Sequence, residues 1–186
     1  MTEWLLDPEV AYLNHGAFGA LPRAVGDAAL DLRLMMERNP AELMMRTLPG
    51  MLNDVRARLA ELLHADEAGC VFVPNATAGT ATVLHSIVST LSPGDEILTT
   101  DHRYGAVAVQ LAAHAERGGI VPVIAHVPVD AASVEQVVAA IADRITARTK
   151  LLVVDAIASA SGFWFPIPEI VAAAHDRGVP VLVDGA

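Results

Sequence analysis

Four short stretches of this chain place polar or planar side chains directly after runs of Val, Ile and Leu. After "CVFVP" comes "NATAGTAT", small and hydroxylated residues that open a helical pattern. The free backbone N–H groups of such a helix start, with the Thr77 and Thr80 hydroxyls, suit a phosphate; a plain cap by Asn75 or Thr77 is the alternative. After "DEILTT" comes "DHRYGAV", where His102 and Tyr104 offer flat rings for a planar ligand, or a loop histidine and a tyrosine packed under a turn. After "KLLVVDA" comes "IASASG", in which Ser159 and Ser161 are hydrogen-bonding groups or simply turn residues, and Asp155 reads as structural. After "VPVLV" comes Asp184, a carboxylate for a basic ring nitrogen, or else a cap or ion-pair partner. Together these groups describe a pocket for a flat, phosphorylated, basic heterocycle.

The elements that must hold them follow from periodicity. Two helical patterns come first, Arg23–Arg38 and Asn53–His64, separated by "NPAELMMRTLPG". Then strands and helices alternate. The strands are "CVFVP", "DEILTT", "IVPVIAHV", "KLLVVDA" and "VPVLVD"; between them lie the helical "TAGTATVLHSIVSTL", "YGAVAVQLAAHAERGG", "SVEQVVAAIADRI" and "IPEIVAAAHDRG". Apolar strands alternating with helices predict an α/β fold, a mostly parallel sheet with helices on both faces. Right-handed crossovers then gather the carboxyl ends of the strands on one edge, where a ligand sits. The chain is divided into an N-terminal segment with helices, 1–50, and a large domain, 51–186.

Composition narrows the partners. With 186 residues, 53% hydrophobic but only 4% aromatic, the chain can bury a core of Ala, Val, Leu and Ile. A formal net charge of −10 argues against nucleic acid or an anionic membrane. One cysteine, Cys70, excludes an internal disulfide framework and a Cys-based metal cluster. No signal peptide or membrane span is read, so a soluble cytoplasmic protein is expected, with no metal. The apolar "LRLMM" and "AELMMR" segments suit an adaptable contact surface, and a homodimer is expected; core packing is the alternative.

The cofactor that fits a phosphate nest, an aromatic plate, a hydroxyl and a carboxylate is pyridoxal 5′-phosphate, whose ring nitrogen needs a carboxylate to stay protonated. The sequence resembles the class V aminotransferase family of pyridoxal-phosphate enzymes (fold type I), in its isopenicillin N epimerase-like branch. The stretches that carry the resemblance are "YLNHGAFGALPRAV", "NPAELMMR", "PNATAGTATVLHSI", "DHRYGAV" and "LLVVDAIASASGFWFPIPEIVAAAHDRGVPVLVDGA". The resemblance implies that Ala76, Thr77 and Ala78 hold the phosphate and that His102 stacks on the ring. Tyr104 is then the alternative stack or a proton-transfer group. It also implies Ser159 near the phenolic oxygen, Asp184 at the ring nitrogen, and Asn14, His15 and Gly16 on the substrate side. The substrates implied are amino acids, altered at the α-carbon by epimerisation, transamination, elimination or desulfuration.

Two departures stand out. Relatives often carry a histidine where this chain has Ala156. They also continue past "VDGA" to a Schiff-base lysine and a small C-terminal domain. Of the 12 basic residues here only Lys150 is a lysine, at the amino end of its strand, so the chain is expected to hold most of a cofactor cradle without turning over substrate. Other readings are a non-catalytic module that dimerises or binds a phosphorylated ligand, a relative of C–S lyases or cysteine desulfurases, and a generic nucleotide-binding domain.

Overall fold

The computed structural model describes residues 3–186. The chain forms two compact units, residues 1–72 and 73–186, so the 50/51 division falls inside a helix of the first unit.

In the first unit, α1 (Arg23–Arg38) runs over the residues its periodicity predicts and buries none of them. The expected break at "NPAELMMRTLPG" is instead helical: α2 (Pro40–Glu42), one π-helical segment (Leu43–Thr47), then α3 (Leu48–Leu63). Both prolines sit in the first turn of a helix, where the missing N–H costs nothing. Asn39 adds a cap, its side chain accepting from the Glu42 N–H at 3.2 Å. His64 ends α3 in the left-handed region (φ 51°) and returns its N–H to Ala60 and Glu61.

The second unit is a four-stranded, all-parallel sheet. Its strands are β1 (Glu96–Thr100), β2 (Val121–Ala125), β3 (Thr149–Asp155) and β4 (Val181–Asp184), in the order β2-β1-β3-β4. The central β1 and β3 are buried along nearly their whole length, while the edge strands β2 and β4 are mostly half-buried. Alternation divides their side chains between two cores. Ile97, Leu151 and Val153 pack with Leu84 of α4 (Ala76–Val88) and with Val107 and Leu111 of α5 (Gly105–Gly118). Leu98, Leu152 and Val154 pack with Val137 and Ile141 of α6 (Val134–Ala142) and with Ile170 and Ala174 of α7 (Ile167–His175).

This arrangement fixes where a crevice must open. From β1 the chain crosses to β2 over the α5 face, then returns past β1 to β3 over the α6 face, so the topology reverses between β1 and β3. Loops leaving those strands diverge to opposite faces, which leaves a gap at their carboxyl ends.

One predicted strand is not formed. Cys70–Pro74 pairs with nothing among the described residues, and Val71 is 78% exposed. A strand exists only where a neighbour satisfies its N–H and C=O groups, so an apolar β-type sequence without one stays an extended connector. The terminal strand is also less buried than its "VPVLV" composition predicts, because it lies at the sheet edge. No helix among the described residues is long and apolar enough to cross a membrane.

Candidate functional site

The carboxyl edge of the sheet gathers most of the chemistry. β3 and β4 pair in parallel register with Asp155 opposite Asp184. Register partners point to the same face, and neighbouring strands are about 4.8 Å apart. That face is the α4/α5 one, because Leu182 and Val153, two residues before each aspartate, pack in its core. Two carboxyls therefore stand side by side at strand ends.

Their environments differ. Asp184 is half-buried; its Oδ1 accepts the Ala186 N–H at 3.1 Å and its carbonyl accepts the Ala156 N–H at 2.7 Å. Asp155 is 4% exposed, and its Oδ1 has no hydrogen-bond partner. Burial first, and then the neighbouring charge of Asp184, pushes its carboxyl up to about 6, against the pull of the Tyr104 N–H and of His102. Thr99, in register with Val153 on the same face, also buries an unpartnered Oγ1. So does Gln110 of α5, whose Oε1 is unpaired while its Nε2 donates to the Thr77 carbonyl at 3.1 Å. Three unsatisfied polar atoms thus lie on one side of the sheet, and buried polar groups without partners are costly.

The start of α4 belongs to that side. Asn75, extended at φ −167° and ψ 167°, caps it, its Oδ1 accepting from the Ala78 N–H at 2.8 Å. The cap takes the third amide and leaves those of Ala76 and Thr77 without an intrahelical acceptor. Capping and anion binding, alternatives in the sequence, therefore do not exclude each other here. Thr77 itself is exposed.

His102 lies in the loop after β1, with its side chain almost fully covered. Its Nε2 lies 2.7 Å from the Val127 carbonyl, an obligate acceptor, so that nitrogen carries the proton and Nδ1 faces the Ser161 hydroxyl at 3.3 Å. Its ring packs 5.4 Å from Phe163 and 5.6 Å from Phe165, and the side chain is 8% exposed. Phe165 belongs to the α6/α7 core, so the imidazole is held toward the face opposite the carboxyls. Tyr104, at the start of α5, is 46% exposed, and its backbone N–H is the donor to Asp155. Ser159 is exposed in a tight turn that the Gly162 N–H closes on the Ala158 carbonyl at 2.8 Å, with Gly162 at φ +67°. Ser161 rather than Ser159 is the serine tied to His102.

At the end of β1, burial pushes Asp101 up, but the Val127 N–H, His126 and His102 together hold it below the usual carboxylate range. Lys150 lies at the opposite edge, its Nζ 3.3 Å from the Ala147 carbonyl and 3.9 Å from Asp95. From there to the end of β3 is roughly 16 Å, beyond the reach of a lysine side chain. Asn14, His15 and Gly16 lie in the first unit, in a turn where Asn14 Oδ1 accepts from Ala17 and His15 Nδ1 from Ala20. The His15 ring packs edge-on to Tyr12 at 5.0 Å. A groove of about 530 Å³ lies along α6 and α7, lined by Val134, Val137, Trp164 and Pro168 among others; neither carboxyl of the pair borders it.

The sequence marks Asp155 only as structural and does not single out Thr99 or Gln110. For Asp155 the signal was there: "LVVD" and "VLVD" are parallel statements, each an apolar strand closed by an aspartate.

Comparison with known proteins agrees with this architecture. The family model for class-V aminotransferases matches residues 11–186. Isopenicillin N epimerase of Amycolatopsis lactamdurans is 34% identical over 97% of this chain and 46% of its own length. A putative L-cysteine desulfhydrase of Oryza sativa subsp. japonica is 31% identical over 95% of the chain and 39% of its own length. Among solved structures, the K223A mutant of C-DES, with glycine covalently linked to its PLP cofactor, superposes with a TM-score of 0.83 at 27% identity. That alignment covers 94% of this chain and 46% of C-DES. The chain thus spans about half the length of the relatives it matches.

Proposed function

The chain belongs to the class-V aminotransferase family, and from that premise we propose that its carboxyl edge is the cofactor-binding part of a pyridoxal-phosphate enzyme acting on amino acids. The observation that carries this reading is the juxtaposition of Asp184, the unsatisfied Asp155, Thr99 and Gln110 atoms and the open α4 start on one face of the sheet. When bound, pyridoxal phosphate supplies an electron-withdrawing ring that stabilises negative charge at the α-carbon of an amino acid. The chain's own residues would do the rest. The Ala76 and Thr77 amides donate to the phosphate, aided by the helix dipole. Asp184 holds a proton on the ring nitrogen through a charge-assisted hydrogen bond. His102, or alternatively Tyr104, covers a ring face, and the Asn75 cap holds the α4 amides in place. Epimerisation and C–S bond cleavage are the outcomes the relatives' names suggest.

Lys150 cannot serve this site from the opposite edge, so the 186-residue chain should bind the cofactor weakly and reversibly. Equilibrium dialysis against pyridoxal 5′-phosphate tests this. Saturable binding that Asp184→Ala weakens at least tenfold, with no stoichiometric borohydride label on Lys150, supports the reading. Binding indifferent to Asp184→Ala, or full labelling of Lys150, removes it. A homodimer through the segments bearing Met35, Met36, Met44 and Met45 belongs to the same proposal. Light scattering that finds a monomer at high concentration counts against it.

A further inference from the structure

Asp155 counts only as an unsatisfied atom of the site in the function proposed above, yet it is an unusual ionisable group of the second unit. It ends β3 at the point where the topology reverses, is almost fully covered, leaves one oxygen without a partner and stands in register with a second carboxyl. A structural carboxylate in such a place would be surrounded by donors, and this one has a single backbone N–H, that of Tyr104. We propose that Asp155 and Asp184 act as one unit, a carboxyl pair sharing a proton, in which Asp155 is a positioning residue that carries the proton and releases it when a cationic heterocycle meets Asp184. The ligand class is a protonated pyridine-type ring. The part of the inference that concerns ligand rests on the cofactor reading; the shared proton does not.

The reasoning is electrostatic. Two carboxylates on adjacent strands resist ionising together when no positive charge lies nearby. The groups that face the pair leave the charge uncompensated. In the loop after β1, the His102 ring is held toward the other face, and Asp101 is itself an anion. Arg103 commits its Nη1 to the Thr100 carbonyl at 3.0 Å. From α5 there is only the Tyr104 N–H, the first turn of α4 contains no charged residue, and the 156–166 segment contains none either. Below about pH 6 one proton is therefore retained by the pair, and its more buried member is Asp155, raised to about 6. A ring cation arriving at Asp184 supplies the missing positive charge, and the Asp155 proton then leaves to solvent. Binding and proton release are one linked equilibrium.

Carboxyl-carbon NMR titration of the 186-residue chain decides the shared proton, because it needs no cofactor. The Asp155 midpoint is expected near 6, and in Asp184→Asn it should fall toward the usual aspartate range. An Asp155 that titrates with the surface aspartates, or whose midpoint ignores Asp184→Asn, overturns the proposal. Pyridoxamine 5′-phosphate, which carries the ring cation but no aldehyde, then tests the coupling by dialysis. Its affinity should rise about tenfold more between pH 5 and pH 7 for the wild-type chain than for Asp155→Asn, in which ionisation of the phosphate is unchanged. Equal pH profiles overturn the coupling. A paired NMR titration with no binding of the probe upholds the shared proton and rejects the cofactor reading, so the two failures are distinguishable.

Discussion

Two buried acids on neighbouring strands show how differently one sheet treats its two edges. Glu96, at the amino edge, is 2% exposed and completely partnered: Thr146 Oγ1 donates at 2.6 Å, Arg148 Nε at 2.9 Å and Thr149 Oγ1 at 3.3 Å. The Thr146 hydroxyl outweighs the burial that opposes it, and with Arg148 and Thr149 it holds the Glu96 carboxyl below its usual range. Asp155, at the carboxyl edge of β3, is as buried but has one backbone donor and an anionic neighbour, and it is pushed the other way. The amino edge is built for stability, whereas the carboxyl edge carries an unfavourable charge arrangement. Such an arrangement is a common sign of a binding site.

The contrast can be broken at either end. The largest effect should come from Glu96→Ala, which removes three side-chain partners at once and should cost about 3–4 kcal/mol in urea unfolding at pH 7. Because the folded-state pKa of Glu96 is depressed, its contribution is present above the ordinary value of 4.5 and disappears as pH falls through the lower folded value. The gap between variant and wild type should therefore narrow in acid. A gap as wide at pH 3 as at pH 7 would mean that packing, not ionisation, is its source.

Asp155→Asn should act in the opposite direction. A carboxyl raised from 3.8 to about 6 costs the folded state roughly 3 kcal/mol once ionised, of which an amide's unpaired donor takes back about 1. The sign follows from proton uptake: Asp155 is harmless below pH 3.8, and its cost grows as pH rises through about 6. At pH 8 the variant should be about 2 kcal/mol more stable than wild type, with the advantage gone near pH 4. An advantage that does not change between those pH values contradicts the raised carboxyl.

Smaller effects test the scaffold. Asn75→Ala removes the α4 cap and should cost about 1 kcal/mol, whereas Asn75→Gly should cost only a few tenths. Calorimetry separates the two. Lys150→Arg, at a strand entry whose side chain is 41% exposed, should leave stability within about 0.5 kcal/mol of wild type. A larger change there would give Lys150 a role that its edge position does not suggest.

How much of this was legible in the sequence varied with the range of the interaction. The α1 boundaries and the four paired strands followed from periodicity, and Asp184 at a carboxyl edge followed from strand-helix alternation. His102 was legible as a residue at that edge but not as one packed against Phe163 and Phe165, which lie in a loop after a different strand. Prolines 40 and 49 read as breaks because proline disrupts helix interiors; their placement in first turns depends on the caps and turns around them.

The sequence by itself determined the α/β class, the four paired strands and the helices between them, and which residues follow each strand, because these rest on contacts between near neighbours in the chain. Tertiary structure decided three things. It left "CVFVP" without a partner, turned His102 toward the α6/α7 core, and set Asp155 beside Asp184. Each depends on which strand lies next to which and in what register. Register is fixed by packing two faces of a sheet at once, and no local stretch of sequence encodes it.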